Sequence, residues 1–538
     1  MCVVIIIIFI YFMLDKKTKI VATLGPASNS VEKIKELYEA GVNIFRLNFS
    51  HGDHKSHGEV IDRIRSLNLN CGILLDTKGP EIRIGVLKDK LHVKEGDEFI
   101  LTTDEGIYED TGKISVNYKG FIDDVDVGDQ IVIDSGAIRC EATEKKGNDI
   151  KFKVISGACD ITTKRHINLY GKAVSLPTIT PQDWEDIKFG IEKKVDIIAL
   201  SFVRSGDDVK EVKEFCRKNG SNIQICSKVE NYESTKNWED IIIQSDSIMY
   251  ARGDLSCEIS FGEVPTLQKK MTALCSYYNR PIIIATQMVL SMVNNIQPTR
   301  AEVNDVATAV FDGCDAIMTS DETTVGKNPV NCIEVMAKIC RETESNVYSL
   351  CTEPDCDDCF GVLHRGRLQR VGFESEVRPR KPGLHPYTNH MFKQTSDNKE
   401  IRTAGGRSMK RKFSCNTLKT HANVVKENLI TILPFITDDI EAIVAVSNVS
   451  DDYMKNIAAT RINMPMFGIT ANKMLCNQMN LIWNMQPIYD KNISEDFNKN
   501  CAIVDMYMQK FSIKKYLLAI LMPCGDYEYP TVQVRFFD

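Results

Sequence analysis

The side chains best suited to chemistry recur at one kind of place, just after short apolar runs rich in β-branched residues. RLNFSHG carries Arg46, Asn48 and Ser50 at a spacing of two, and LLDTKGPEIR carries Asp76, Thr77 and Arg83. SKVEN carries Lys228 and Glu230, again two apart; MYARGD ends in Asp254, and IIATQ presents Thr286. On a strand, residues two apart share a face. Ordinary solvated strand ends would show random residue types and no common parity. Here two carboxylates that suit a hard divalent cation, Glu230 and Asp254, accompany three cations that suit phosphate, Arg46, Arg83 and Lys228. Buried charge is costly unless balanced, so a mixed set converging on one cavity implies ligands and metals. Phosphoryl transfer needs such a set, because the protein's work there is positioning and neutralising charge. Two carboxylates leave a magnesium ion open positions for substrate oxygens, and a lysine can stabilise charge that grows in transfer.

Positioning these groups requires a scaffold of parallel strands with crossover helices, and the pattern supplies one. Strands are expected at Lys19–Gly25, Asn43–Ser50, Gly72–Lys78, Ile197–Val203, Gln224–Glu230, Ser247–Asp254, Pro281–Met288 and Ala316–Ser320. Amphipathic helices fall between them, at Ser30–Ala40, Pro181–Lys193, Asp207–Lys218, Glu263–Tyr278 and Thr299–Asp312. Thr299 with Glu302 forms a capping box at the start of the last. Eight such units give an α/β fold, a (β/α)8 TIM barrel whose chemistry sits where strands end. From about Val86 to Lys172 the rhythm breaks into short β pieces with Gly and Asp turns, the pattern of a small all-β domain inserted as a lid. The expected division is therefore 16–85 with 173–346 for the barrel, 86–172 for the lid, and 347–538 for a C-terminal α/β domain. That last part has strands at Ala442–Ser447, Met466–Thr470, Leu517–Met522 and Val532–Phe537, and an Arg-, Lys-, Gly- and Pro-rich insertion at about 351–415 that reads as loop or disorder.

A chain of 538 residues is too long for one core, and its 43% hydrophobic content is ordinary for a globular protein. A net charge of -7 argues against a general nucleic-acid binder. The 18 cysteines are scattered, often inside apolar strands, and read as reduced thiols of a cytoplasmic protein. Cys2 to Leu14 is apolar throughout, yet shorter than the roughly 20 residues that span a bilayer and without a basic start or cleavage site. A membrane partner is not expected. Cys351, Cys356 and Cys359, with His364 nearby, lack a clear fourth zinc ligand, and Lys410 to Lys412 reads as a solvated loop.

From about Thr18 to Asn346 the chain resembles the pyruvate kinase family. TKIVATLGPAS, FRLNFSHG, LLDTKGPEIRIG, SKVENYE, YARGDL, PIIIATQMVLSM, PTRAEVNDVATAVFDG and SDETTVGKNP carry the resemblance, in order and at matching spacing. It implies an enzyme that moves the phosphoryl group of phosphoenolpyruvate onto ADP, forming ATP in glycolysis, as a homotetramer. It further implies that Arg46 binds the substrate phosphate, that Lys228 stabilises the transferring phosphoryl, and that Glu230 and Asp254 ligate Mg2+ or Mn2+. Gly253 and Asp254 fall where backbone amides receive the substrate carboxylate, assisted by Thr286. Asn48, Ser50, Asp76 and Thr77 match the K+ site, with Glu81 at the position that accompanies K+ dependence. Asn48, His51, Arg83 and Arg165 are the nucleotide-site candidates that follow. Three departures stand out: Ser256 and Asp321 each replace a glycine, and Asp134-Ser135-Gly136 carries one acid where the family has two. No loop for a sugar-bisphosphate activator is evident, with MPCGDYEYP near its place. A catalytically impaired paralogue that only binds nucleotide or phosphoenolpyruvate is the competing expectation. A carbon–carbon lyase on a related barrel would need neither the inserted domain nor the K+ residues.

Overall fold

The computed structural model describes residues 16–347, 440–448, 450–459, 464–494, 496–524 and 527–536. The 351–415 insertion, the Cys351 cluster, the basic run at 410–412 and the N-terminal apolar run lie outside the described residues.

Eight parallel strands close into a barrel: Lys19–Thr23, Ile44–Asn48, Gly72–Asp76, Ile197–Leu200, Gln224–Val229, Ser247–Ala251, Ile282–Ala285 and Ala316–Thr319. The first pairs with both the second and the last, which completes the ring. Each is buried along its length or nearly so, as a parallel strand covered on both faces must be. Inward residues Val21, Ile44, Leu74, Ala199, Cys226, Met249 and Ile283 pack together in the lumen. The alternate residues pack outward against the helices in a second, larger core. Capping boxes start several of these helices, with Thr180 on Asp183, Ser205 on Asp208 and Thr299 on Glu302.

The strands stop earlier than the apolar pattern suggests. Gln224–Val229 ends one residue before Glu230, and Asp254 lies in a short helix, Arg252–Glu258, instead of on the sixth strand. Ser50 is likewise off its strand: Asn48 Oδ1 accepts the Ser50 amide and turns the chain, so the expected shared face of Arg46, Asn48 and Ser50 ends at Asn48.

The inserted sheet has eight strands and begins at Ile82–Arg83, ahead of residue 86. Its neighbours run from Ile82–Arg83 through His166–Leu169, Gln130–Ile133, Ile138–Lys146, Asp149–Ile161 and Glu98–Thr102 to Ile114–Ser115, and the eighth, Leu91–Lys94, pairs with the far end of Asp149–Ile161. An Ile84–Val116 bridge brings the two ends together, which removes exposed edges. Phe121, Phe152, Ile131 and Ile138 form its own core.

The C-terminal sheet orders Met485–Tyr489, Met466–Thr470, Ala442–Val446, Lys515–Cys524 and Tyr527–Phe536, with only the last pair antiparallel. Met485–Tyr489 was not expected from sequence; Pro487 weakens the pattern, and an edge strand tolerates it. This domain closes the barrel's lower end, where Leu481 joins the lumen cluster and Asn477 and Gln478 bond Asp196. Among the described residues no helix is long and apolar enough to cross a membrane.

Lys19 sits in that lower end, two residues before Val21 on the inward face, with Nζ 2.6 Å from the Met485 carbonyl. Burial, reinforced by the Lys16 charge, pulls its ammonium down to about 7. Between pH 7 and 10 the unfolded chain therefore binds more protons here than the native one, and linkage makes stability rise with pH across that window. Urea unfolding at stepped pH should show this as a stability difference between wild type and Lys19→Met that rises from pH 7 to 10. A difference that stays level across that window would contradict the burial of a depressed lysine.

Candidate active site

Parity builds the site. Two residues above the lumen-lining Ile44, Leu74, Ala199 and Cys226 stand Arg46, Asp76, Ser201 and Lys228. The apolar lumen thus ends in a layer of charged and hydroxyl groups at the C-terminal mouth. Arg46 Nε lies 2.6 Å from Asp76 Oδ2, and its Nη1 donates to Thr23 Oγ1 at 2.8 Å. Lys228 Nζ reaches Ser201 Oγ at 2.8 Å, Glu230 Oε2 at 3.1 Å and Asp76 Oδ1 at 3.2 Å. Lys228 is only 9% exposed and Glu230 fully buried.

The charges do not balance among themselves. Asp76, Glu230 and Asp254 oppose Lys228 and Arg46, leaving a carboxylate in excess. Burial raises the Asp76 carboxyl, but Lys228 and Arg46 together override it and hold it below the ordinary range. Lys228 follows the same logic with opposite sign: burial works against its charge, yet Asp76 and Glu230 lift it above its ordinary value. Glu230 is pushed up, first by burial and then by repulsion from Asp254 and Asp76 that Lys228 only partly offsets.

Glu230 spends one oxygen on the Phe202 amide at 2.8 Å, while Oε2, though near Lys228, has no hydrogen-bond donor. The Asp254 carboxylate has none either among the described residues. A buried Glu230 oxygen and a half-buried Asp254 carboxylate without donors, in excess negative charge, are what a hard divalent cation would satisfy. Among the described residues no group of three or more His, Cys, Asp or Glu side chains is placed to hold a metal ion.

Asn48 and Asp76 are register partners on adjacent strands, with Ser50 and Thr77 following them. The four supply oxygen donors of the kind a monovalent cation takes. The Thr77 carbonyl and hydroxyl are anchored by Ser201 at 2.6 and 3.1 Å. Glu81 pairs with Arg83 at 2.6 Å, and Arg83 Nη1 also donates to the Lys164 carbonyl. Arg165, at 44% side-chain exposure, pairs with Asp134 at the hairpin tip of the inserted sheet. His51 is exposed on the loop after the second strand. Arg83 and Arg165 thus both belong to the inserted sheet and its loops.

Residues 15–333 match the family profile described as pyruvate kinase, barrel domain. The chain belongs to the pyruvate kinase family. It is 41% identical to plastidial pyruvate kinase 2 of Arabidopsis thaliana, over 64% of this chain and 60% of that one. Pyruvate kinase of Bacillus licheniformis is 46% identical over 61% and 57%, and that of Dictyostelium discoideum 43% over 61% and 66%. The chain thus spans about three fifths of the length of the curated relatives it matches.

The two departures nearest the mouth of this pyruvate kinase barrel both fall in short helices that follow strands. Asp321 starts a short helix after the eighth strand with its side chain exposed. Ser256 turns its hydroxyl back to the Gly253 carbonyl at 2.7 Å. Other groups were missed. Ser201 holds Lys228 and both polar groups of Thr77; its place two residues after Ala199 was the available signal. His166 brings an imidazole from the lid strand edge-on to Phe202, with 6.2 Å between ring centroids. Glu258, one helical turn past Asp254, accepts from the Tyr232 amide and from Asn168 of the lid strand. Burial pushes its carboxyl up to about 8; the Tyr232 and Asn168 bonds work against that, and repulsion from Asp254 and Glu230 adds to it.

Proposed function

We propose that this chain is an active pyruvate kinase, transferring the phosphoryl group of phosphoenolpyruvate to ADP to give pyruvate and ATP, with Mg2+ or Mn2+ and K+. The observation that carries it is the knot of Lys228, Asp76, Glu230 and Arg46 at the barrel mouth, in which the buried Glu230 Oε2 has no hydrogen-bond partner.

Asp76 and Thr23 hold Arg46 by Nε and Nη1, leaving the other edge of the guanidinium for a substrate phosphate. Asp76, Glu230 and Ser201 fix the Lys228 ammonium where negative charge builds as the phosphoryl group moves. The Thr286 hydroxyl and the Gly253 and Asp254 amides receive the substrate carboxylate. A β-phosphate oxygen of ADP attacks phosphorus, the bond to the enol oxygen breaks, and the enolate takes a proton at carbon to become pyruvate. A divalent cation held by Glu230 and Asp254 would neutralise phosphate and enolate charge. Asn48, Ser50, Asp76 and Thr77 would hold K+, and Asn48, His51, Arg83 and Arg165 would meet the nucleotide as the inserted sheet closes.

A cytoplasmic location agrees with the free thiols of the twelve cysteines whose side chains are described; the relatives include forms named cytosolic and forms named plastidial. A homotetramer agrees with the apolar surface that Ile296, Val303 and Phe311 leave exposed around the helix Arg300–Asp312. The relatives named pyruvate kinase, at 41% and 46% identity, favour the active reading over the binding-only alternative.

Phosphorus NMR of the protein with phosphoenolpyruvate, ADP, Mg2+ and K+ tests the proposal. Phosphoenolpyruvate should decline as ATP grows, and omitting K+ should slow it at least about tenfold. No ATP above the level given by Lys228→Ala would leave the binding-only alternative standing.

A further inference from the structure

The seventh barrel strand ends at Ala285, and the chain then turns through Thr286 at φ 76° and Gln287 at φ 55°. A β-branched residue at positive φ is a true backbone outlier, and it persists only where its surroundings hold it. Arg252 supplies that hold. Its Nη2 donates to the Thr286 carbonyl at 2.7 Å and its Nε to the Ala285 carbonyl at 3.2 Å. Its Nη1 is tied at 2.7 Å to Asp305, on the following helix. Gly253, the next residue, lies so close that a Cβ there would stand 2.7 Å from Thr286 Cγ2. The Thr286 hydroxyl itself has no hydrogen-bond partner among the described residues and stands half-buried at the mouth.

We propose that Arg252 is a positioning residue for phosphoryl transfer, clamping the strained Thr286 peptide and so aiming the Thr286 hydroxyl into the site. The proposal rests on the pyruvate kinase function given above. The fork of a guanidinium reaches two successive carbonyls and a carboxylate at once, which the single ammonium of lysine does not. Displacing a reacting group by about an ångström costs up to about a hundredfold in rate.

Steady-state kinetics of Arg252→Lys, Thr286→Ala and the double variant test it. Arg252→Lys should lower kcat about tenfold or more while KM for ADP stays within about twofold. Added to Thr286→Ala, it should cost little further, because the clamp has lost the group it aims. Losses that multiply in full, or wild-type kcat in Arg252→Lys, would overturn the proposal. Asp305→Asn keeps the fork and loosens only its outer tether, so it should lower kcat less than Arg252→Lys; an equal or larger loss would count against the clamp. Should the wild-type chain form no pyruvate, the functional reading fails separately. The clamp is then decided by a crystal structure of Arg252→Lys: Thr286 at negative φ supports it, and Thr286 unmoved overturns it.

Discussion

Replacing Lys228 with methionine should lower kcat for pyruvate formation by about a hundred- to a thousandfold, the range seen when one preorganised donor to a developing charge is removed. Methionine keeps most of the stem that fills the lumen above Cys226, so packing is disturbed little. What goes is the ammonium bonded to Ser201 and placed between Asp76 and Glu230. KM for phosphoenolpyruvate should move far less than kcat, since Arg46 keeps its bonds to Asp76 and Thr23 and still meets the phosphate. Breaking a buried ion pair also costs about 3–5 kcal/mol, so the variant should melt earlier in metal-free buffer. A kcat within about fivefold of wild type would remove Lys228 from the chemistry.

Glu230→Gln should lower activity and remove part of the pH dependence of stability. The amide keeps an oxygen for the Phe202 amide proton, its nitrogen then faces the Lys228 ammonium in place of Oε2, and Lys228 keeps Asp76 and Ser201. Yet one of the two carboxylates proposed to hold the divalent ion is gone, so kcat should fall about a hundred- to a thousandfold at fixed Mg2+. Without metal, burial and the charges of Asp254 and Asp76 push the Glu230 carboxyl above its unfolded value. A carboxyl raised on folding costs stability as pH climbs from its unfolded pKa through its folded one. Glutamine carries no such cost, so the stability difference between the two metal-free proteins should shift in favour of Glu230→Gln as pH rises from about 5 to 7. A difference independent of pH would contradict an ionisable Glu230 buried at the mouth.

The barrel was legible because its strands are buried on both faces, and that prints continuous β-branched runs into the sequence. Their ends were not, because the polar residues that follow continue the alternation. Glu230, Asp254 and Ser50 were thus placed on strands that stop before them. The polar layer of the candidate site was legible for the same physical reason: a lumen that changes from Ile44, Leu74 and Cys226 to Arg46, Asp76 and Lys228 leaves a periodic mark. Contacts between distant elements leave none. Leu481 plugging the barrel and His166 meeting Phe202 depend on how separate sheets dock. The clamp on Thr286 was hidden differently, since a positive φ at a β-branched residue contradicts local preference and is visible only in coordinates.

Electron paramagnetic resonance of Mn2+ titrated into the protein asks most directly whether Glu230 and Asp254 share one cation beside Lys228. One ion should bind per active site in the wild type, and either Glu230→Gln or Asp254→Asn should weaken it about tenfold or more. Mn2+ held with equal affinity by all three proteins would contradict the shared-ion site.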